Sequence, residues 1–172
     1  MLVVREEKHS EHEAVEMDEY VPFTAEFGEK ESSPLYWRGG DGKTSLVEFG
    51  LTKAGEVCSV TLTSINQESV TETDEPLPGS VLETKGLPIF DIANWPSNVS
   101  DYADHFQDEF DSEVKLIVGR NYLSLVFVKV GDPVRYIRNE RIRFWVASNG
   151  ELSTVDLVEL TQDQIAVIKS AI

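Results

Sequence analysis

The sequence contains one cysteine, Cys58, in 172 residues, so no disulfide can form within the chain and no thiol cluster can bind zinc. Positive charge is scarce too, since 15 Lys and Arg residues stand against 31 Asp and Glu, for a formal net charge of −16. Phosphates would be repelled by most of such a surface, so we expect no nucleic acid as a direct partner. The lone cysteine fits a reducing compartment, and we expect a cytoplasmic protein.

Long apolar runs are absent as well. None approaches the roughly 18 residues that a membrane span needs, so we expect no membrane association. The apolar residues 1–4 are followed at once by the charged residues 5–7, which is too short a run for a signal peptide. Hydrophobic residues still make up 41% of the chain, enough for one packed core, and we expect a single globular body over residues 1–172.

The negative charge is concentrated in two segments. Residues 1–31 hold 10 acidic and 3 basic residues, and residues 66–112 hold 11 acidic residues and 1 basic residue. The remaining two segments are close to neutral, and they carry the alternating apolar patterns that are typical of strands. Residues 1–19 are acidic enough to be disordered in isolation.

Two stretches, residues 46–65 and 141–160, align without gaps and indicate an internal duplication. Both have apolar residues at every second position, with a glycine at the centre, which is the pattern of a β-hairpin. The identical positions are Phe49/Phe144, Gly55/Gly150, Glu56/Glu151, Val60/Val155 and Leu62/Leu157.

We therefore expect an α+β fold: a mainly antiparallel sheet built from two related hairpin units, with a central acidic helix and a C-terminal helix. Residues 20–75 would form an N-terminal β unit, residues 76–112 an acidic connector with the helix, and residues 113–172 a C-terminal β-meander plus helix. Thr161 is placed to cap the C-terminal helix.

The central helix is predicted over residues 100–111, with Ser100 as its N-cap. Tyr102, Phe106 and Phe110 recur at every fourth residue and would share one helical face that packs on the core. The acidic residues beside that face would form a docking surface for a basic protein, because complementary charge speeds and selects association. The predicted partner-binding residues are Asp101, Asp104, Asp108, Glu109 and Asp111.

The chain has one basic cluster, for which two uses are open. It could form salt bridges with the acidic connector, or it could bind an anion or another ligand. The cluster comprises Arg135, Arg138, Arg141 and Arg143.

Motifs that carry chemistry are absent. The sequence has no Gly-x-Ser-x-Gly, His-Glu-x-x-His or Cys-x-x-Cys pattern, and we expect no enzyme activity, metal site or cofactor. The leading hypothesis is a non-catalytic cytosolic protein that binds a basic protein. In its most specific form it is an immunity protein or antitoxin that neutralises a basic toxin such as a nuclease. Two alternatives are a structural subunit of a phage or secretion particle, and a small-ligand-binding protein or enzyme that uses the face carrying Arg135 and Arg143.

Overall fold

The computed structural model describes residues 1–9, 12–28, 31–77, 82–95 and 101–172, and these are mostly β-sheet with one α-helix. The helix α1 (Gln162–Ala171) follows all the strands, and two short 3-10 helices span Gln67–Ser69 and Tyr102–His105. The strands are β1 (Val4–Lys8), β2 (Glu13–Glu16), β3 (Phe23–Phe27), β4 (Leu35–Gly40), β5 (Leu46–Leu51), β6 (Val57–Ser64), β7 (Val70–Glu72), β8 (Leu82–Lys85), β9 (Leu87–Phe90), β10 (Phe106–Glu109), β11 (Val114–Val118), β12 (Leu123–Phe127), β13 (Pro133–Asn139), β14 (Ile142–Ala147) and β15 (Leu152–Leu157).

The strands form two large sheets and a two-stranded ribbon of β1 and β9. The first sheet has the order β10-β4-β5-β6-β3-β2, and the second has the order β7-β11-β12-β15-β14-β13-β8. The sheets pack face to face around one apolar core. Phe27 of the first sheet lies edge-on to Phe144 of the second at 6.0 Å between ring centroids, and Trp37 meets Phe127 in the same way at 5.7 Å. The fold is a β-sandwich.

The two sheets share one strand arrangement. In each, four strands that are consecutive along the chain lie in the order second, third, fourth, first: β4-β5-β6-β3 in one sheet and β13-β14-β15-β12 in the other. The first of these strands pairs outward with the strand before it, β2 or β11, in antiparallel fashion. The second pairs outward with a parallel strand, β10 or β8. The duplication seen in the hairpins therefore extends over both sheets.

The strand registers match position by position. The core-facing row of the first sheet runs Gln107, Trp37, Phe49, Val60, Ala25, Val15. The equivalent row of the second sheet runs Thr84, Ile137, Phe144, Val155, Leu125, Leu116, Val70. The second row is longer because β7 pairs with the far side of β11, whereas no described strand lies at the equivalent place beside β2.

The predicted α+β fold with a central acidic helix is wrong. The predicted helix is replaced by the 3-10 helix Tyr102–His105 followed directly by β10, and its predicted N-cap, Ser100, lies outside the described residues. Both predicted hairpins are present, as β5–β6 and β14–β15, and the C-terminal helix is present with Thr161 as its N-cap. The predicted C-terminal meander is not formed, because β15 lies between β12 and β14.

The described part of the acidic N-terminal segment packs on the body. Its strand β1 pairs with β9, and β2 pairs with β3. Leu2 and Val4 are buried in the core because the alternation of the strand directs them inward while the charged residues that follow remain in water. Ile165 and Ile168 of α1 are buried in the same core.

Candidate functional site

The strand β10 forms one edge of the first sheet and carries two of the five residues predicted to bind a partner, Asp108 and Glu109. It pairs in parallel with β4, so that Phe106 lies opposite Tyr36 and Asp108 opposite Arg38. The side chain of Asp101 caps the preceding 3-10 helix by accepting from the amide of Ala103 at 3.4 Å. Pairing with β4 replaces the predicted helix because it stacks the Phe106 ring on the Tyr36 ring, with 5.3 Å between centroids.

The helix interpretation required the aromatic side chains of this segment to pack in the core. Tyr102 and Phe110 lie on the surface instead. Tyr102 is 71% exposed and Phe110 is 41% exposed. Phe106 is half-buried between them, with Tyr102 edge-on to it at 5.3 Å. We call this region the acidic–aromatic surface, formed by Tyr102, Phe106, Phe110, Asp101, Asp104, Asp108 and Asp111.

Arg38 holds this surface together. Its Nε and one terminal nitrogen donate to the two carboxylate oxygens of Asp108, at 2.7 and 2.9 Å. The central carbon of the same guanidinium lies 4.1 Å from the centre of the Phe106 ring and 5.6 Å from the centre of the Phe110 ring. The bonds to Asp108 raise the pKa of Arg38, so it stays charged. A planar cation bound to a carboxylate and two rings fixes their relative positions.

The five predicted partner-binding acids differ in what they do. Asp101 and Asp104 cap the short 3-10 helix and are exposed, and Asp111 is exposed. The carboxylate of Asp108 forms a salt bridge with Arg38. Glu109 turns to the inner side of the strand, where it accepts from the indole nitrogen of Trp37 and from the amino group of Met1. Glu109 therefore does not belong to the acidic–aromatic surface.

Strand β13, which carries Arg135 and Arg138, pairs with β8 of the acidic connector, but the described ion pairs of these two arginines go to other segments. Arg138 donates to Glu159 at 2.8 Å, and Arg135 lies 3.7 Å from Glu7 of β1. The backbone amide of Arg141 donates to Glu13, which ties β2 to the turn between β13 and β14. Arg143 lies on the outer face of the second sheet. Arg138 and Arg143 lie opposite each other on β13 and β14, whereas Arg135 and Arg141 make separate contacts.

Arg143 belongs to a buried polar cluster on the outer face of the second sheet. Asp156 is only 1% exposed and accepts from the hydroxyl of Ser124 at 2.6 Å and from the indole nitrogen of Trp145 at 2.5 Å. Burial raises the pKa of Asp156, while these hydrogen bonds and the charge of Arg143 oppose that effect. A mainly apolar groove of about 180 Å³ lies beside the cluster and is lined by Tyr122, Trp145 and neighbouring side chains.

A wider cleft, of about 760 Å³, lies between β9 and the end of β3. His9, His12 and Cys58 line it, and burial raises the pKa of the Cys58 thiol to about 11. A thiol with so high a pKa is a poor nucleophile at neutral pH. Within the described ranges no group of three or more His, Cys, Asp or Glu side chains is arranged to hold a metal ion.

Sequence reasoning missed Tyr36 and Arg38 of β4, which contact residues of the acidic–aromatic surface. The signal was present in residues 35–38, where Leu35 and Trp37 alternate with Tyr36 and Arg38. That period-two pattern directs the second pair away from the core. What the alternation does not contain is the identity of the neighbouring strand, since β10 follows about 70 residues later in the chain.

Comparisons with known proteins add no functional assignment. No helix in the described part of the chain combines the length and apolar character needed to cross a membrane. A scan against models of known protein families and a search of curated proteins found no match to this chain.

Proposed function

We propose that this chain is a cytoplasmic, non-catalytic binding protein that docks a basic protein on its acidic–aromatic surface. The observation that carries the proposal is the exposure of Tyr102 (71%) and Phe110 (41%) beside four aspartates. Large aromatic side chains exposed together in water are costly, and such residues are enriched at the centres of protein interfaces. A partner that covers both rings would remove apolar area from water.

The charge of the surface favours a basic partner. Asp101, Asp104 and Asp111 are exposed around the rings, and the whole chain carries a net charge of −16. Complementary charge raises association rates with basic partners and disfavours acidic ones. The rings would supply affinity and the carboxylates would supply selection.

The surface is also ordered before any partner arrives. Arg38 binds Asp108 through two hydrogen bonds and stacks on Phe106, so these side chains lose little freedom on binding. Preorganisation of this kind increases affinity by lowering the entropic cost of association. It supports an interface more than a chance exposure of apolar residues.

In its most specific form the proposal makes the chain an immunity protein or antitoxin, and its partner a basic toxin such as a nuclease. A cleft that binds phosphates is lined with cations, and a rigid acidic surface with exposed rings is complementary to such a cleft. The toxin would then be blocked because its substrate-binding cleft is covered.

The test begins with capture of partners on immobilised protein from a lysate of its source cells at about 50 mM salt, where surface charges are weakly screened. Captured proteins are identified by mass spectrometry, and the purified partner is titrated in a calorimeter. The Tyr102→Ser/Phe110→Ser double variant should weaken binding about 100-fold, since central aromatic residues often contribute 2 kcal/mol or more. Tyr20→Ser is the matched control, because Tyr20 is 87% exposed and lies outside the surface.

Two results would overturn the proposal: a partner that is acidic, or one that binds the double variant as tightly as the wild type. The antitoxin role is tested separately, by cell growth. Cells that express the identified partner should grow again when the wild type is co-expressed, but not when the double variant is co-expressed. Binding without any rescue would remove the antitoxin role and leave the docking surface.

A further inference from the structure

The far edge of β2 has no strand beside it among the described residues. In the part of the chain that the structure describes, β2 pairs with β3 on one side only. The carbonyl of His12 accepts from Gly28, and the amide of Asp18 donates to Val21, so the backbone groups of even-numbered residues point toward β3. Because backbone groups alternate along a strand, those of Glu13, Val15 and Met17 point outward.

The second sheet shows what such an edge can hold. By register, Val15 and Glu16 are equivalent to Leu116 and Ile117 of β11, and Met17, the residue after β2, follows at the place of Val118. Those three residues pair in parallel with β7, opposite Val70, Thr71 and Glu72. The carbonyl of Val118 also accepts from the amide of Thr73 at 3.0 Å. In the first sheet the outer edge of β2 has the same geometry, but no described strand pairs with it.

The side chains along this edge define the occupant. Val15 and Met17 face the core and are only partly buried, so residues placed opposite them would be apolar. Glu16 faces outward and is exposed, with Asp18 and Glu19 just beyond it, so the residue between the apolar ones would be basic. A second copy of this chain is disfavoured, because pairing two β2 edges would bring Glu13 and Glu16 of both copies together.

We propose that β2 accepts one additional strand from a partner protein, parallel to β2, with the pattern apolar–basic–apolar opposite Val15, Glu16 and Met17. Main-chain bonds to the outward groups would supply affinity, and the alternating side chains would supply selection. This site is independent of the acidic–aromatic surface, since β2 and β10 form opposite edges of the same sheet.

The probe is the peptide acetyl-Lys-Val-Lys-Val-Lys-Val-Lys-amide at 150 mM salt, with hydrogen exchange followed by NMR. Strand pairing should slow exchange of the Val15 and Met17 amides about tenfold, because both become hydrogen-bonded. Two N-methylated analogues, one modified at the valines and one at the inner lysines, carry the same side chains. Because only alternate peptide groups face β2, one analogue should lose binding and the other should retain it.

Charge reversal gives the second arm. Glu16→Lys should weaken peptide binding about tenfold, while Glu68→Lys, an equal change at an exposed position of the 3-10 helix Gln67–Ser69, should have little effect. Unchanged exchange at Val15 and Met17 under saturating peptide, equal loss with both analogues, or equal effects of the two charge reversals would each refute strand addition. The Tyr102→Ser/Phe110→Ser variant should bind this peptide normally, so failure of one proposal leaves the other intact.

Discussion

The indole nitrogen of Trp145 donates a hydrogen bond to Asp156 over 2.5 Å on the outer side of the second sheet, away from the core between the sheets. Asp156 is 1% exposed there, so this face of the sheet contains a small buried layer of its own. The carboxylate also accepts from Ser124 and interacts with the charge of Arg143. A buried acid with several partners makes the outer face sensitive to single substitutions.

Asp156→Ala should destabilise the protein by about 3 kcal/mol, because it leaves the buried Trp145 and Ser124 donors unpaired and removes the charge next to Arg143. Asp156→Asn, which keeps one acceptor, should cost about half as much. Urea denaturation measures both changes. Asp132→Ala, at an exposed loop position, is the control and should alter the free energy of unfolding by less than about 0.5 kcal/mol. Equal effects at the two positions would contradict the buried cluster.

The stability difference between wild type and Asp156→Asn should depend on pH. Burial raises the pKa of Asp156 in the folded protein, so between its ordinary value near 4 and the raised value the folded state holds a proton that the unfolded state has lost. The free energy of unfolding of the wild type should therefore fall, relative to that of the variant, as the pH rises through this window. Urea denaturation at several pH values between about 4 and 7 tests the sign; a constant difference would contradict it.

Two equivalent glycines should respond differently to alanine. Gly55 and Gly150 occupy the same hairpin position with φ of 84° and 86°. A Cβ at Gly55 would lie 2.2 Å from the carbonyl oxygen of Phe90, whereas at Gly150 the nearest atom is a methyl group of Val3 at 3.5 Å. Gly150→Ala should cost about 1 kcal/mol for the left-handed backbone, and Gly55→Ala about 3 kcal/mol, since the β9 backbone must also move. Thermal or urea denaturation compares them, and equal costs would show that β9 does not pack against this turn.

Arg38→Ala should weaken the binding of a basic partner to the acidic–aromatic surface, even though the substitution removes a positive charge. Arg38→Ala frees Asp108 and increases the negative charge, which alone would favour the partner. It also releases Phe106 and Phe110 from the guanidinium, and we expect this loss of preorganisation to dominate, with a Kd about fivefold higher. Calorimetry with the purified partner measures the change.

Lys43→Ala is the matched control for that experiment. Lys43 is an exposed cation in the turn between β4 and β5, and the described cation–π contacts with the rings of the surface are those of Arg38. Its removal should leave Kd unchanged or lower it slightly through charge alone. Tighter binding by Arg38→Ala would show that charge outweighs the ordering of the rings.

Local sequence signals were sufficient for the hairpins and the C-terminal helix. Alternation in residues 46–51 and 142–147, with Gly55 and Gly150 at the turns, identifies two hairpins because strand period and turn chemistry are encoded nearby. The helix α1 begins with a capping box in which Thr161 and Gln164 satisfy each other's backbone groups. These are the features that tertiary context changes least.

The central segment could not be predicted in the same way. The spacing of Tyr102, Phe106 and Phe110 fits a helical face, but pairing of β10 with β4 outweighs it through the stack of Phe106 on Tyr36. The extent of the duplication was hidden for a related reason. Equivalent positions such as Trp37 and Ile137 keep only their burial, so their correspondence becomes visible through strand register and not through residue identity.

The N-terminal residues are held by the last hairpin of the chain. The amide of Leu152 donates to the carbonyl of Leu2, and the amide of Val4 donates to the carbonyl of Gly150, both at 2.9 Å. These partners are synthesised about 150 residues after Leu2 and Val4. Closure of this corner therefore follows translation of β15, although the pairing of β1 with β9 can form earlier. A nascent chain arrested before that point would expose Leu2 and Val4 to chaperones and proteases.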